Sequence, residues 1–204
     1  MNYPEYVEVE GKRYKINTDF RTAIKCNEIA QDTSIGNLER AMAIIYKLFG
    51  EEALNDTSHY DKLLELAQKY LCCGKELEET DEEPDMDYVE DMDYIEASFM
   101  SDYHIDLTET KMHWWKFSNL MNGLSNSEMG NCCVLNRIRN LRNYDPSEIK
   151  DNKEREKIIK AKKSVELKRN QPKLTKEQEK SVEYIYETLI KKGVWIWLET
   201  MMEK

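Results

Sequence analysis

The segment NLERAMAIIYKLFG occupies residues 37–50. Its apolar residues recur every three or four positions, the spacing that places side chains on one face of an α-helix. Those residues are Leu38, Ala41, Met42, Ile45 and Phe49. Gly50 follows at the position where glycine commonly ends a helix. The pattern predicts an amphipathic helix from about Asn37 to Phe49, whose apolar face needs a covering neighbour.

The same spacing predicts further helices along the chain. One follows a capping turn at Asn17–Asp19 and carries Phe20, Ala23 and Ile24, another runs from about Ser58 to Cys72, and a third emerges past Pro84 with Tyr88, Met92, Ile95 and Phe99. Asp106 is expected to cap a helix that carries residues 113–124, and a further helix is expected at 127–142. Asp145-Pro146-Ser147-Glu148 predicts the start of a helix to about Asn170, because proline is favoured at the first helical position. A capping box from Thr175 to Gln178 predicts the last helix.

Near the N-terminus the period changes from helical to alternating. Tyr6–Val9 and Arg13–Ile16 alternate on either side of Glu10-Gly11, which predicts a short hairpin. The predicted fold is therefore mostly α, an irregular multi-helix domain with a short N-terminal β-hairpin and a C-terminal helical extension. Its expected parts are the hairpin and first helices (1–75), an acidic linker (76–87), a central helical part (88–145) and the extension (146–204).

Composition excludes several classes of protein. The 204 residues include 30 Lys+Arg and 40 Asp+Glu, a formal net charge of −10. No apolar run approaches the roughly 20 residues that span a bilayer, and the N-terminus lacks a signal-peptide pattern. Five cysteines with two vicinal pairs make a poor disulfide framework. These features argue against a secreted, membrane-spanning or nucleic-acid-coating protein.

The sequence offers little for catalysis. It has no Gly-x-Ser-x-Gly elbow, no glycine-rich phosphate loop and only three histidines. Structural zinc sites space their ligands by two to four residues, whereas Cys72-Cys73 and Cys132-Cys133 are adjacent and fit small, semi-buried hydrophobic residues better. We therefore expect no enzyme, and no catalytic residue, cofactor or metal.

Residues 76–93 contain eleven carboxylates and neither Lys nor Arg. The ordinary interpretation is a solvated acidic loop. A sharper one is mimicry of nucleic acid, in which rows of carboxylates compete for a basic DNA-binding protein.

His113-Trp114-Trp115 is the most unusual tripeptide in the chain. Adjacent tryptophans on a helix cannot face the same core, so one of them is a candidate for a partner surface. The alternative is that other elements of the same chain cover both rings. Trp195 and Trp197 in the tail are likewise either packed on the core or an anchor for another protein. The candidate partner-binding residues are His113, Trp114, Trp115, Phe117, Leu120, Trp195 and Trp197.

Several blocks, taken in order, resemble one family. Val7–Tyr14 with Ile16–Ala23 is similar to the start of the bacteriophage family named after gene product fifteen, found near the tail genes of long-tailed phages of Gram-positive bacteria. Tyr70–Glu76 resembles its aromatic-x-x-Cys-Gly-Lys-Glu segment. Its central motif is matched in order by Asp93-Tyr94-Ile95, Ala97, Phe99, Tyr103, Ile105-Asp106-Leu107, His113–Phe117 and Gly123-Leu124. After Leu124 the chain departs from the family's usual Ile-x-Gly-Tyr-Arg segment, and residues from about 166 lie beyond the resemblance.

The resemblance implies a non-enzymatic role in virion morphogenesis, as a tail assembly chaperone. The expected partner is the phage tape measure protein, with tail tube subunits and a second tail assembly chaperone as further candidates, and with neither nucleic acid nor membrane. The expected location is the cytoplasm of the infected bacterial host, with absence from the mature virion. The alternative function is an acidic, nucleic-acid-mimicking inhibitor of a host defence or DNA-binding protein.

Overall fold

A computed structural model describes residues 3–75, 84–126 and 132–168. These residues form a mostly α-helical structure with one short hairpin, which confirms the predicted fold class. The chain divides into two compact units, residues 1–165 and 166–204, and the elements below belong to the first. No helix in the described ranges is long and apolar enough to cross a membrane.

The described residues contain two strands, eight α-helices and two short 3₁₀ turns. The elements are β1 (Tyr6–Val9), β2 (Lys12–Lys15), α1 (Phe20–Gln31), α2 (Asn37–Phe49), α3 (Glu51–Leu54), α4 (Tyr60–Leu71), α5 (Met92–Tyr103), α6 (Trp114–Asn122), α7 (Val134–Asn143) and α8 (Asn152–Ser164), with the 3₁₀ turns at Thr57–His59 and Pro146–Glu148.

The hairpin confirms the alternating pattern of the first residues. β1 and β2 pair antiparallel, with Val9 opposite Lys12. Glu10 and Gly11 both have positive φ, +50° and +82°, as a two-residue hairpin turn that follows the twist of the strands requires. Val9 and Tyr14 point into the core.

The core lies between the helices and under the hairpin. α1 packs against α2 and α6, α2 packs against α4, and α5 packs against α7. Phe20, Ala23 and Ile24 are buried on α1, as predicted. On α2 the predicted face is only partly right. Its buried residues are Ile44, Ile45, Leu48 and Phe49, because the neighbouring helices cover one edge of the apolar arc and leave the other exposed.

Two predicted helix starts were wrong. Asp106 closes a local turn, in which its carboxylate accepts from the Thr108 amide at 2.8 Å, and His113 caps α6 instead. α7 begins at Val134 rather than at 127, with Cys133 at its cap. Residues 127–131 lie outside the described ranges.

The helix predicted from Asp145 was also wrong in extent. Asp145 caps a single 3₁₀ turn, Pro146–Glu148, and Ile149 is extended. A second cap at Asp151 starts α8, where its carboxylate accepts from the Lys153 and Glu154 amides. Two aspartates therefore divide what the pattern indicated as one helix. The helix predicted from Thr175 lies outside the described residues.

Candidate partner-binding surface

His113 fastens the N-terminal segment to the start of α6. Its Nδ1 accepts from the Trp115 amide at 3.0 Å, which caps the helix. The other ring nitrogen, Nε2, therefore carries the proton and donates to the Pro4 carbonyl at 3.0 Å. Tyr3 stacks on the imidazole with ring centroids 4.9 Å apart. Both ring nitrogens are thus used in structure rather than held free for proton transfer.

The two adjacent tryptophans cap the C-terminus of α4. Trp114 Nε1 donates to the Leu71 carbonyl at 2.9 Å, and Trp115 Nε1 donates to the Tyr70 carbonyl at 2.9 Å. The last four carbonyls of a helix lack partners within the helix. Two indole rings that diverge from neighbouring positions can therefore both be satisfied by one helix end.

Gly74 allows Trp115 to approach the turn after α4. Its φ is +72°, in the left-handed region, where glycine carries no steric penalty. A Cβ at this position would stand 3.3 Å from Trp115 Cη2. The segments around Tyr70–Gly74 and His113–Trp115 thus form one structural junction.

The structure separates the predicted partner-binding residues into two groups. Trp114 and Phe117 are 2% and 0% exposed, and Phe117 stacks between Phe20 and Phe99 at 4.5 and 5.2 Å. Their assignment to a partner surface is corrected, because core packing leaves them almost no surface to offer. Partial exposure remains at His113, Trp115 and Leu120. Trp195 and Trp197 lie outside the described residues.

A different surface, on α2, is apolar and exposed. Leu38 is 66% exposed, Met42 36% and Tyr46 49%. These three residues, named here the α2 stripe, are spaced by four and so lie along one face of the helix. The sequence pattern did contain Leu38 and Met42, but it placed them in the core.

A groove of about 960 Å³ begins where the α2 stripe ends. Its lining includes four buried apolar side chains and three exposed lysines. The buried residues are Ile16, Leu48, Phe49 and Met112, and the lysines are Lys15, Lys47 and Lys111. Tyr46 belongs to both surfaces. We name this concavity the lysine-rimmed groove. Sequence reasoning missed it, because its lysines come from three distant segments.

Two carboxylates of the acidic run are used inside the fold. Asp91 is 1% exposed, and its carboxylate accepts from both terminal nitrogens of Arg142 at 2.7 Å. Asp85 accepts from Arg139 at 3.1 Å. The prediction of a solvated acidic loop was wrong for these two carboxylates, which bind α7. Residues 76–83 lie outside the described ranges.

A polar cluster joins the hairpin to the start of α4. The Asp56 carboxylate accepts from the Tyr14 hydroxyl, from Lys12 Nζ at 3.1 Å and from Ser58 Oγ at 2.8 Å. His59 Nδ1 lies 2.9 Å from Asp56, and its Nε2 lies 3.2 Å from Glu10. The Tyr14 hydrogen bond, followed by those of His59, Ser58 and Lys12, holds the pKa of Asp56 well below its usual range.

The Bacteriophage Gp15 protein family matches residues 2–167 of the chain. The chain belongs to this family. Comparisons with curated proteins and with solved structures found no match. As a Gp15-family protein it is a bacteriophage protein, and its membership favours a structural or assembly-related role.

In this Gp15-family protein the cysteines behave as packing residues. All five are free thiols, and Cys26 and Cys133 are buried. Burial raises the pKa of the Cys26 thiol to about 12, so this thiol is a poor nucleophile. Within the described ranges, no three His, Cys, Asp or Glu side chains come together as metal ligands would.

Proposed function

We propose that this Gp15-family protein is a tail assembly chaperone that binds helices of the phage tape measure protein. It acts without catalysis in the cytoplasm of the infected host and leaves before the virion is complete. Tail tube subunits, or a second tail assembly chaperone, are its further partners.

The observation that carries the proposal is the α2 stripe. An amphipathic helix usually buries its apolar arc against its own domain. Here Leu38, Met42 and Tyr46 stay exposed, although Ile44, Ile45, Leu48 and Phe49 of the same helix are buried. Apolar side chains repeated along a helix face suit recognition of a second amphipathic helix.

The chemistry of the stripe suits a partner that must later be released. Methionine is unbranched and adapts to different neighbours, and tyrosine offers apolar contact with a polar edge. Three exposed residues form a small contact, typical of weak and transient association. Tube subunits that polymerise around the same tape measure helix could displace such a contact.

Two carboxylates of the acidic run do not support the alternative function, an acidic mimic of nucleic acid. Mimicry needs carboxylates that face a partner. Asp85 and Asp91 instead face Arg139 and Arg142 of the same chain.

The proposal is tested by co-expression with the tape measure protein of the phage that encodes this chain. The triple variant Leu38→Ser, Met42→Ser, Tyr46→Ser removes the apolar stripe at exposed positions. We expect it to keep the helical circular dichroism spectrum of the wild type and to lose the ability to keep the tape measure protein soluble.

Ile159→Ser is the matched control, since Ile159 is an apolar residue 48% exposed on α8. It should protect the tape measure protein as well as the wild type does. Equal protection by the stripe variant would show that α2 is not the binding surface. If the wild type itself gave no protection, the proposed function would be lost.

A further inference from the structure

We propose that the lysine-rimmed groove binds carboxylates of the helix that lies on the α2 stripe. This inference rests on the proposed function and adds a chemical requirement for the partner. The bound segment must carry an apolar seam followed, beyond the Tyr46 end, by acidic side chains.

The first argument is the continuity of the two surfaces. Leu38 and Tyr46 are eight residues apart, which is about 12 Å along a helix. Tyr46 is the last residue of the α2 stripe and also lines the groove. A helix that covers the stripe and continues past Tyr46 therefore reaches the groove within its next turns.

The second argument is charge. The chain carries a net charge of −10, yet three lysines from β2, α2 and the segment before α6 surround this one concavity. Within the described residues, Lys12, Lys25 and Lys62 are paired with carboxylates of their own chain. Lys15, Lys47 and Lys111 have no ion-pair partner in those same ranges and are exposed.

The acidic groups of the lining do not cancel this charge. Asp19 and Glu51 are the two carboxylates there. Asp19 already accepts from the Arg21 backbone amide at 2.9 Å and lies 3.3 Å from the Arg21 guanidinium. Only Glu51 remains to offset three ammonium groups, so the groove is locally positive.

The third argument is the floor of the groove. Phe49 and Met112, each 6% exposed, line the groove together with the lysines. An apolar floor with charged groups at the rim suits side chains whose apolar stems lie inside and whose charged ends face the rim. Glutamate on an amphipathic helix fits this description.

The test uses overlapping 25-residue fragments of the tape measure protein and the full chain as binder, with affinities measured by fluorescence anisotropy. The tightest fragments should carry an apolar seam with acidic residues at one end. A triple variant, Lys15→Glu with Lys47→Glu and Lys111→Glu, is then compared with the wild type. Its affinity for those fragments should be about tenfold lower. Added salt should weaken binding by the wild type and strengthen binding by the triple variant, because it screens both the attraction of the lysines and the repulsion of the introduced glutamates.

The matched control reverses Lys153, Lys157 and Lys160 to glutamate, three exposed lysines of α8. It changes the net charge equally and should keep wild-type affinity within about twofold, because none of these lysines lines the groove. An equal loss of affinity in both triple variants, or a preference for basic fragments, would contradict the proposal that the groove binds carboxylates. It would not contradict binding to the α2 stripe. If no fragment bound the wild type, the proposed function would fall and this inference with it.

Discussion

Tyr70 combines a well-packed ring with a poorly placed hydroxyl. Its ring stacks on Trp115 with centroids 6.1 Å apart, and its backbone carbonyl accepts from the same indole. The hydroxyl is buried and has no hydrogen-bond partner among the described residues. Burial raises the pKa of Tyr70 well above its usual range, so the group stays neutral and still unpaired.

We expect Tyr70→Phe to stabilise the protein by about 1 kcal/mol, because a buried unpaired hydroxyl costs about 1–3 kcal/mol and the ring contacts remain. Tyr103→Phe is the matched control, since the Tyr103 hydroxyl donates to the Leu120 carbonyl at 2.9 Å. It should destabilise by about 1 kcal/mol. Urea denaturation gives both values, and a loss of stability in Tyr70→Phe would mean that its hydroxyl has a partner.

At the scale of elements, a buried charge pair joins α7 to the residue that precedes α5. The Arg142 side chain is 10% exposed, and beyond its two bonds to Asp91 it donates to the carbonyls of Asp85 and Val165 at 2.8 and 2.6 Å. The Asp91 carboxylate also accepts from the Asp87 amide at 3.0 Å. Arg142 therefore connects α7 to the segment before α5 and to the end of the first unit.

Arg142→Met should lower the free energy of unfolding by about 3–5 kcal/mol, because it leaves the Asp91 carboxylate buried without a counter-charge. Adding Asp91→Asn should recover part of this loss, since the remaining buried group is neutral. Arg137→Met on an exposed position of α7 should change stability by less than about 0.5 kcal/mol. Chemical denaturation of the four proteins measures these differences. No recovery in the double variant would show that packing, not the buried charge, dominates.

The sequence pattern predicted the presence of several helices better than it predicted where they start. The 3.6-residue period predicted α1, α2, α4 and α5, because burying an apolar face is a property of the helix itself. The start of a helix was predicted wrongly where the chain offers two capping residues. Asp145 and Asp151 both have side chains that can cap a helix, and only tertiary contacts decide which of them starts a turn and which starts a helix. Likewise, the exposure of Leu38 depends on how far the neighbouring helices extend.

The candidate site was predicted less well than the fold, for a related reason. Trp114 and Trp115 stood out as unusual residues, but their indole partners, the carbonyls of Leu71 and Tyr70, lie more than forty positions away. A pattern along the chain cannot show that those carbonyls end a helix beside α6. The lysine-rimmed groove depends on three such distant segments and has no local signal at all.

For the whole molecule, the polar cluster between the hairpin and α4 makes stability depend on pH. Hydrogen bonds to Asp56 and then Glu10 raise the pKa of His59 above its ordinary value of 6.5. Hydrogen bonds from Lys62 and His59 lower the pKa of Glu10 below 4.5. A raised histidine pKa adds stability to the fold. This stability is fully present below the pKa of the unfolded state and is lost as the pH rises through the pKa of the folded state. A lowered carboxyl pKa adds stability that is present above the pKa of the unfolded state. This stability is lost as the pH falls through the pKa of the folded state.

The contribution of His59 should therefore be largest near pH 5.5 to 6, where the imidazolium and both carboxylates are charged. We expect His59→Asn to lower the Tm relative to the wild type at about pH 5.5, and the gap to narrow as pH rises toward about 8.5. His104→Asn is the matched control, because His104 is exposed with a φ of +57°, which asparagine adopts readily. The Tm difference between His59→Asn and this variant is compared at each pH. If His59→Asn lowered the Tm equally at about pH 5.5 and about pH 8.5, the imidazole would stabilise this junction by packing rather than by its charge.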